Sequence, residues 1–294
     1  MFNKKTLFFG SATAIVTPFS GEEIDYDALG KMIDFQLSQE TDAIVVLGTT
    51  GEAPTIYERE REELIAFSKE RIGKRVPLIV GTGSNATSVA VRYTKGAAAQ
   101  GADGCLVVTP YYNKATERGI IDHYRAISQS VDIPIIIYNV PSRTGVKIPI
   151  SAYEALAKEE NIVAVKEASG DLGYLSELIY RCGKELDVYT GCDELILPTL
   201  ALGGKGVISV ISNIVPSEVH SLCTDFKNDD IEKARAAQLR LMPLIKEMFA
   251  EVNPIPIKEA LFQMGFCKKQ YRLPLCPSAR ESQIAWVLKG YSLI

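Results

Sequence analysis

Short apolar runs rich in β-branched residues recur about every 20–35 residues along the chain, and helical patterns separate them. This rhythm constrains the fold most, because strands that alternate with helices are typical of βα units around a parallel sheet. The predicted strands are Ser11–Val16, Ala43–Leu47, Pro77–Val80, Gly104–Val108, Ile133–Ile137, Ile162–Val165, Asp187–Thr190 and Gly206–Val210. Eight such units predict an α/β fold, a closed (β/α)8 TIM barrel.

The rhythm of strands stops after Asp225, and only helical patterns continue. These patterns cover residues 230–252, 255–265 and 278–288. We therefore predict a barrel domain over residues 1–225 and a C-terminal helical extension over residues 226–294. An open doubly wound sheet would usually carry a GxGxxG turn after its first strand, and Gly81-Thr82-Gly83 lacks the third glycine.

Charge and cysteine usage exclude several classes of function. The net charge of -4 and the lack of a long basic run argue against nucleic acid as the main partner. Six scattered cysteines without a CxxC pair indicate reduced thiols, and two histidines make a histidine-rich zinc site improbable. The N-terminal apolar run is too short for a signal peptide, and no run is long enough to span a bilayer. We expect a cytoplasmic protein with no membrane partner.

One predicted strand, Ile162–Val165, runs directly into Lys166. An ammonium at the lip of a buried strand loses hydration, which favours the free amine that Schiff-base chemistry needs. A single lysine at a strand end more often extends to water. The choice between these readings depends on which other side chains share its end of the barrel.

Polar side chains collect at the carboxyl ends of the predicted strands, where barrels of this type place their functional residues. They are Thr49 and Thr50 after the second strand, Tyr111 and Tyr112 after the fourth, Tyr138 and Arg143 after the fifth, Lys166 at the sixth and Gly191 after the seventh. Each also has a plain structural reading as a turn residue, a strand-end tyrosine or a solvated charge. Functionally, the threonine turn could hold a carboxylate, Tyr138 could transfer a proton and Arg143 could bind a carboxylate. Glu167 should point to the opposite face of its strand and serve as a structural partner.

Four stretches in the chain carry a specific resemblance. They are Gly48–Glu52, Tyr138–Gly145, Val165–Ala168 and Gly206–Val210. In this order and spacing they resemble the dihydrodipicolinate synthase family, within the pyruvate-dependent class I aldolases that also include N-acetylneuraminate lyase. The resemblance implies a lyase that condenses pyruvate with L-aspartate 4-semialdehyde in lysine (diaminopimelate) biosynthesis. It also implies that no metal and no organic cofactor are needed.

The resemblance assigns four catalytic roles. Lys166 would form a Schiff base with pyruvate, and Tyr138 would act as the general acid and base. Thr49 would hydrogen-bond Tyr138 and pass protons to Tyr112, which would extend into the site from a neighbouring subunit. The protein would therefore be at least a homodimer, and in this family usually a tetramer made of two tight dimers.

Four further residues would bind substrate. Thr50 would bind the carboxylate of pyruvate, and Arg143 would bind the carboxylate of the semialdehyde and orient Tyr138. The backbone of Ile208 would position the pyruvate adduct, and Gly191 is the fourth predicted substrate-binding residue. Two alternatives stay open. One is a lyase that cleaves a 2-keto acid sugar, whose polyol end has no carboxylate for Arg143 to bind, and the other is a barrel that binds or regulates without catalysis.

Some members of this family are inhibited by L-lysine, and the resemblance implies that the lysine would bind in a cleft between subunits. The corresponding positions here are Ala53, Pro54, Glu58, Arg61, Asn85, Val89 and Tyr111. Asn85 and Tyr111 match the inhibited pattern. Val89 replaces a glutamate that would pair with the amine of the inhibitor, and Glu58 and Arg61 replace histidines. We predict weak or absent inhibition by lysine, because losing a charge-assisted partner is costly.

Overall fold

The computed structural model of this protein describes Lys4 and residues 6–294, so residues 1–3 and 5 of the predicted barrel domain lie outside the described residues. The described strands are β1 (Gly10–Ala14), β2 (Phe19–Ser20), β3 (Glu23–Ile24), β4 (Ala43–Val46), β5 (Leu78–Gly81), β6 (Gly104–Val108), β7 (Ile135–Asn139), β8 (Ile162–Glu167), β9 (Asp187–Thr190) and β10 (Gly206–Ser209). The described helices are α1 (Tyr26–Ser38), α2 (Glu58–Ile72), α3 (Thr87–Ala99), α4 (Glu117–Ser128), α5 (Pro141–Thr144), α6 (Ile150–Leu156), α7 (Leu172–Cys182), α8 (Ile196–Ala201), α9 (Pro216–Lys227), α10 (Ile231–Met248), α11 (Ile255–Gln263) and α12 (Glu281–Gly290).

Eight of these strands form a closed barrel in the order β1-β10-β9-β8-β7-β6-β5-β4, and every neighbouring pair is parallel. The predicted (β/α)8 barrel is thus confirmed. The strands are nearly continuous apolar runs because side chains on one face fill the barrel interior while those on the other pack against the surrounding helices. Asp25 caps the N-terminus of α1, since its side chain accepts a hydrogen bond from the backbone N–H of Ala28.

The fifth barrel strand begins two residues later than predicted, at Ile135. Pro134 has no N–H to donate, and it contributes only its carbonyl, which accepts from the N–H of Cys105. The strand runs on to Asn139 and includes Tyr138, predicted to lie just beyond it, because Tyr138 pairs with Val108 and Lys166 in the neighbouring strands. Tyr138 is held in the sheet rather than in a loop.

A two-stranded hairpin, β2 and β3, follows the first barrel strand and was not predicted. Each strand has only two residues, too few for a period of two to be visible in the sequence. Gly21 connects them with a φ of +65°, a left-handed conformation that glycine adopts without strain. The hairpin buries Phe19 against the C-terminal residues described below.

The C-terminal helices pack on the barrel, with α10 against α8 and α9, and α12 against α10 and α11. The helix predicted over 230–252 ends at Met248, and the following turns bring Asn253 to the carboxyl-end rim. The division at residue 225 stays a prediction, and α9 continues past it to Lys227. Within the described residues, no helix is long and apolar enough to span a membrane.

Candidate active site

Lys166 and Tyr138 are neighbours in the barrel. They are Cα partners across the ladder between β7 and β8, and the Lys166 Nζ lies 4.5 Å from the centroid of the Tyr138 ring. Lys166 is only 5% exposed. The lysine therefore does not extend to water, and an amine is held beside a phenol within the barrel.

Gly191 lies against the Lys166 side chain. A Cβ atom at position 191 would come within 2.7 Å of both the Lys166 Cε and the Ala168 Cβ, closer than real Cβ atoms approach. The Gly191 N–H donates to the carbonyl of Glu167 at 2.7 Å, so its backbone is also fixed. The structure thus brings Gly191 to the site, where it leaves space for the lysine.

A cavity of about 440 Å³ opens at the rim, and three predicted site residues line it: Thr49, Tyr138 and Arg143. Lys166, Thr50 and Ile208 are buried and do not line this cavity, and neither does Gly191, so the lysine lies behind the Tyr138 ring rather than at the cavity surface. Tyr112 also stands apart, with a φ of +72° and 90% of its surface exposed. Its side chain therefore does not complete the site of its own subunit.

Asn253 connects the two residues predicted to bind carboxylates. Its Nδ2 donates to the Thr50 Oγ1 at 3.0 Å, and its backbone carbonyl accepts from an Arg143 Nη2 at 2.9 Å. Its own Oδ1 is buried and has no partner among the described residues. Asn253 could not be predicted from the sequence, because an Asn-Pro pair after a helical pattern predicts a linker and gives no sign of a contact with a distant strand.

The turn that carries Thr49 and Thr50 has an unusual backbone. Leu47 before it and Glu52 at its end both have positive φ, 56° and 54°, which costs a non-glycine residue about 1–3 kcal/mol. The N–H of Glu52 donates to the Thr49 carbonyl at 3.1 Å, and the Thr17 hydroxyl donates to the Gly51 carbonyl at 2.8 Å. Such a conformation persists only where surrounding contacts enforce it.

Two buried carboxylates support the rim without lining the cavity. Glu167 accepts from the Asn139 Nδ2 at 2.7 Å and the Ser169 N–H at 2.6 Å, which confirms its predicted structural role. Burial raises the pKa of Glu167. Asp193, which the sequence analysis did not identify, accepts from the backbone N–H groups of Val210 and Ile211 at 3.1 Å. These bonds hold the chain just after β10, the strand that carries Ile208, and burial raises the pKa of Asp193 to about 6.

The arrangement can support imine chemistry, with one buried amine, an adjacent phenol and a guanidinium at the edge of a cavity. In the part of the chain that the structure describes, no group of three or more His, Cys, Asp or Glu side chains could hold a metal ion. Catalysis without a metal or cofactor stays a prediction from the family resemblance.

Comparisons with known proteins agree on one family. The sequence model of the Dihydrodipicolinate synthetase family matches residues 7–287. A 4-hydroxy-tetrahydrodipicolinate synthase of Caldicellulosiruptor bescii is 50% identical over 95% of this chain and 94% of its own length. The crystal structure of dihydrodipicolinate synthase from Aquifex aeolicus superimposes with a TM-score of 0.95, at 46% identity over 97% of this chain and 99% of that one. The chloride-inhibited synthase of Acinetobacter baumannii, complexed with pyruvate, superimposes with the same TM-score of 0.95, at 39% identity over 98% of this chain and 100% of that one.

Proposed function

Because the chain belongs to the dihydrodipicolinate synthetase family, we infer that its rim residues carry out the family's condensation of pyruvate with L-aspartate 4-semialdehyde. The protein is a lyase of the class I aldolase type that forms 4-hydroxy-tetrahydrodipicolinate in lysine (diaminopimelate) biosynthesis. The proposed roles of these residues rest on one observation: the Lys166 amine is buried and lies 4.5 Å from the Tyr138 ring centroid. A cytoplasmic location stays a prediction.

In the proposed reaction, the Lys166 nitrogen bonds to the keto carbon of pyruvate and the keto oxygen leaves as water. The positive charge of the iminium makes the adjacent methyl group acidic, and loss of a proton yields an enamine. The enamine carbon then bonds to the aldehyde carbon of the semialdehyde, whose oxygen takes up a proton. The amino group of the semialdehyde finally attacks the imine carbon and displaces the Lys166 nitrogen, which closes the ring and frees the lysine. Tyr138 is the proposed carrier of these protons, because its ring centroid lies 4.5 Å from the Lys166 nitrogen and a phenol can donate or accept a proton.

Four further residues complete the proposed site. Thr49 hydrogen-bonds Tyr138, and Thr50 binds the carboxylate of pyruvate through its hydroxyl and backbone N–H. The backbone of Ile208 positions the adduct, while Gly191 leaves room for the lysine. The contacts that support these roles are the cavity shared by Thr49 and Tyr138 and the Asn253 hydrogen bond that fixes the Thr50 hydroxyl.

We propose that the functional unit is at least a homodimer, in which Tyr112 enters the site of the partner subunit. Its exposed side chain and left-handed backbone fit a residue held outward for another chain. A dimer of dimers, usual in the family, is the proposed assembly.

Mixing two inactive variants should test the sharing of Tyr112. Tyr112→Phe lacks the shared hydroxyl and Lys166→Ala lacks the amine, so each alone should be nearly inactive. After subunit exchange, a hybrid dimer regains one complete site, formed by Lys166 of one chain and Tyr112 of the other. We expect turnover to return after mixing, measured with the coupled synthase assay. Activity that stays at the level of the separate variants would count against a shared site.

Arg143→Ala should impair the semialdehyde more than pyruvate. The guanidinium lines the cavity and is oriented by the Asn253 carbonyl, so it is available to a carboxylate of the second substrate. The loss of a charge-assisted hydrogen bond should lower kcat/KM for the semialdehyde by about 10- to 100-fold. Steady-state kinetics with each substrate varied should show this change, with the KM for pyruvate within about twofold. Equal losses for both substrates would contradict the role assigned to Arg143.

L-Lysine should inhibit this protein weakly or not at all at millimolar concentrations. The side chain of Arg61 is buried, donates to the Gly81 carbonyl at 2.6 Å and lies 4.2 Å from the Tyr93 ring centroid, so a cation already occupies this part of the cavity. Val89 offers no charge to the amine of lysine.

A titration of L-lysine in the synthase assay measures this directly. Val89→Glu is the matched variant, since it supplies the missing carboxylate and should lower the concentration at which lysine inhibits. Strong inhibition of the unaltered protein at or below millimolar lysine would refute the prediction.

Borohydride reduction in the presence of pyruvate, followed by mass spectrometry of the intact protein, tests the proposed function. A covalent pyruvate adduct on this chain is expected, and its absence would favour a binding protein without catalysis. A screen of aldehydes then separates the two enzyme classes. Turnover with L-aspartate 4-semialdehyde supports the synthase, whereas cleavage of a 2-keto acid sugar without that activity would favour the lyase.

A further inference from the structure

A buried ion pair joins the C-terminal extension to the threonine turn. The Lys258 Nζ lies 2.5 Å from the Glu52 Oε1, and the two side chains are 0% and 1% exposed. Lys258 is the fourth residue of α11, and Glu52 ends the turn that carries Thr49 and Thr50. The pair thus connects residues that are 206 positions apart in the sequence.

The surroundings leave the Glu52 carboxylate with a single hydrogen-bond partner. Its Oε1 accepts from Lys258, while its Oε2 is buried and has no partner among the described residues. The ammonium of Lys258 is itself enclosed, 4.1 Å from the Phe19 ring centroid and 5.1 Å from the Tyr271 ring centroid. Because both side chains are enclosed, neither charge has access to water as a substitute partner, and the position of the Glu52 carboxylate depends on Lys258.

The position of this ion pair says more about its function than its contribution to the stability of the fold does. A buried ion pair stabilises a fold no better, and often less, than packed apolar residues of the same volume. This one is placed at Glu52, whose left-handed φ of 54° and N–H bond to the Thr49 carbonyl close the turn. A strained turn needs an external contact to hold its shape, and Lys258 supplies one.

We propose that Lys258 and Glu52 are positioning residues, which hold the Thr49–Thr50 turn in the shape that binds the carboxylate of pyruvate. This inference rests on the proposed function, because it acts through Thr50. It gives the C-terminal extension a role in the reaction: Lys258 fixes the end of the turn, and Asn253 fixes the Thr50 hydroxyl within it.

The double variant Glu52→Gln/Lys258→Met tests the proposal without leaving a lone buried charge. Removing both charges should keep the thermal midpoint close to that of the unaltered protein. The KM for pyruvate should rise about tenfold, the factor for losing one hydrogen bond to a charged group. The pyruvate concentration for half-maximal borohydride trapping should rise equally, while the KM for the semialdehyde stays within about twofold.

A second ion pair, which includes the next residue of α11, provides the control. The Lys269 Nζ lies 3.1 Å from the Glu259 Oε2, and Glu259 is also buried. Glu259→Gln/Lys269→Met removes the same charges next to Lys258, and its KM for pyruvate should not change. If the Glu52→Gln/Lys258→Met variant is too unstable to assay, Glu52→Gln/Lys258→Gln, which leaves no buried charge and keeps two amides that can hydrogen-bond, should raise the KM for pyruvate about threefold, because a neutral hydrogen bond is roughly half as strong as a charged one.

Three outcomes separate the possibilities. An unchanged KM for pyruvate in a folded Glu52 and Lys258 variant would overturn the positioning role. Equal increases for both substrates, or the same increase in the control, would assign the pair to the stability of the fold and overturn the proposal as well. Failure of the unaltered protein to form a pyruvate adduct would instead refute the proposed function.

Discussion

Lys166→Ala should abolish the pyruvate adduct that borohydride traps and lower kcat by about 10⁶-fold, the scale seen when a covalent nucleophile is deleted. The amine is buried beside Tyr138, and the reaction passes through a bond to its nitrogen. Deletion of the side chain removes the imine and therefore the acidity of the methyl group. Intact-protein mass spectrometry and a turnover assay measure both effects.

A lysine at the opposite end of the barrel serves as the control. Lys205 precedes β10, and its carbonyl accepts from the N–H of Gly10 at the start of β1. Lys205→Ala keeps this backbone bond and should retain both the adduct and turnover. A Lys166→Ala protein that still carries the reduced adduct would remove Lys166 from its role and require another lysine as the nucleophile.

Tyr138→Phe should slow turnover by about 10²–10⁴-fold, the range for a positioned acid or base. The ring remains, so the packing around Lys166 should persist, and only the phenol oxygen is lost. The imine should still form, although more slowly, because Lys166 is intact. Rapid-quench borohydride trapping and steady-state kinetics measure the two steps separately.

Tyr189→Phe is a matched control for this change. Tyr189 is the Cα partner of Lys166 on the other side, in β9, and its hydroxyl donates to the Phe8 carbonyl at 2.6 Å. Losing that bond should lower the free energy of unfolding by about 1 kcal/mol and leave turnover within about twofold. A similar loss of turnover in both phenylalanine variants would indicate a packing effect and contradict the role of Tyr138 in proton transfer.

The rim of the site was largely predictable from local patterns. Strand ends follow from apolar runs, and in a parallel barrel all carboxyl ends meet at one face, so Thr49, Tyr138 and Lys166 could be grouped without coordinates. The family resemblance then supplied their roles. Strand bounds were less accurate, as for β7, because the change from strand to loop depends on which N–H groups find partners in the neighbouring strand.

Contacts between distant segments were not predictable. Asn253 lies 203 positions from Thr50, and Lys258 lies 206 positions from Glu52. The periodicity of apolar residues indicates which face of a helix or strand is buried. It does not indicate which polar side chain from a distant helix or strand will contact that face. The C-terminal residues therefore appeared as linkers and helices of undefined role.

The sequence by itself determined the barrel, the order of its strands and the residues at their carboxyl ends, because each of these follows from short-range patterns of apolar and polar side chains. Only the tertiary structure decided that Lys166 lies beside Tyr138 and that Gly191 leaves space for it. It also decided that Tyr112 is exposed outside the cavity of its own chain and that Asn253 joins Thr50 to Arg143. These are distances through space, which are set when the closed barrel and the packed extension bring remote parts of the chain together.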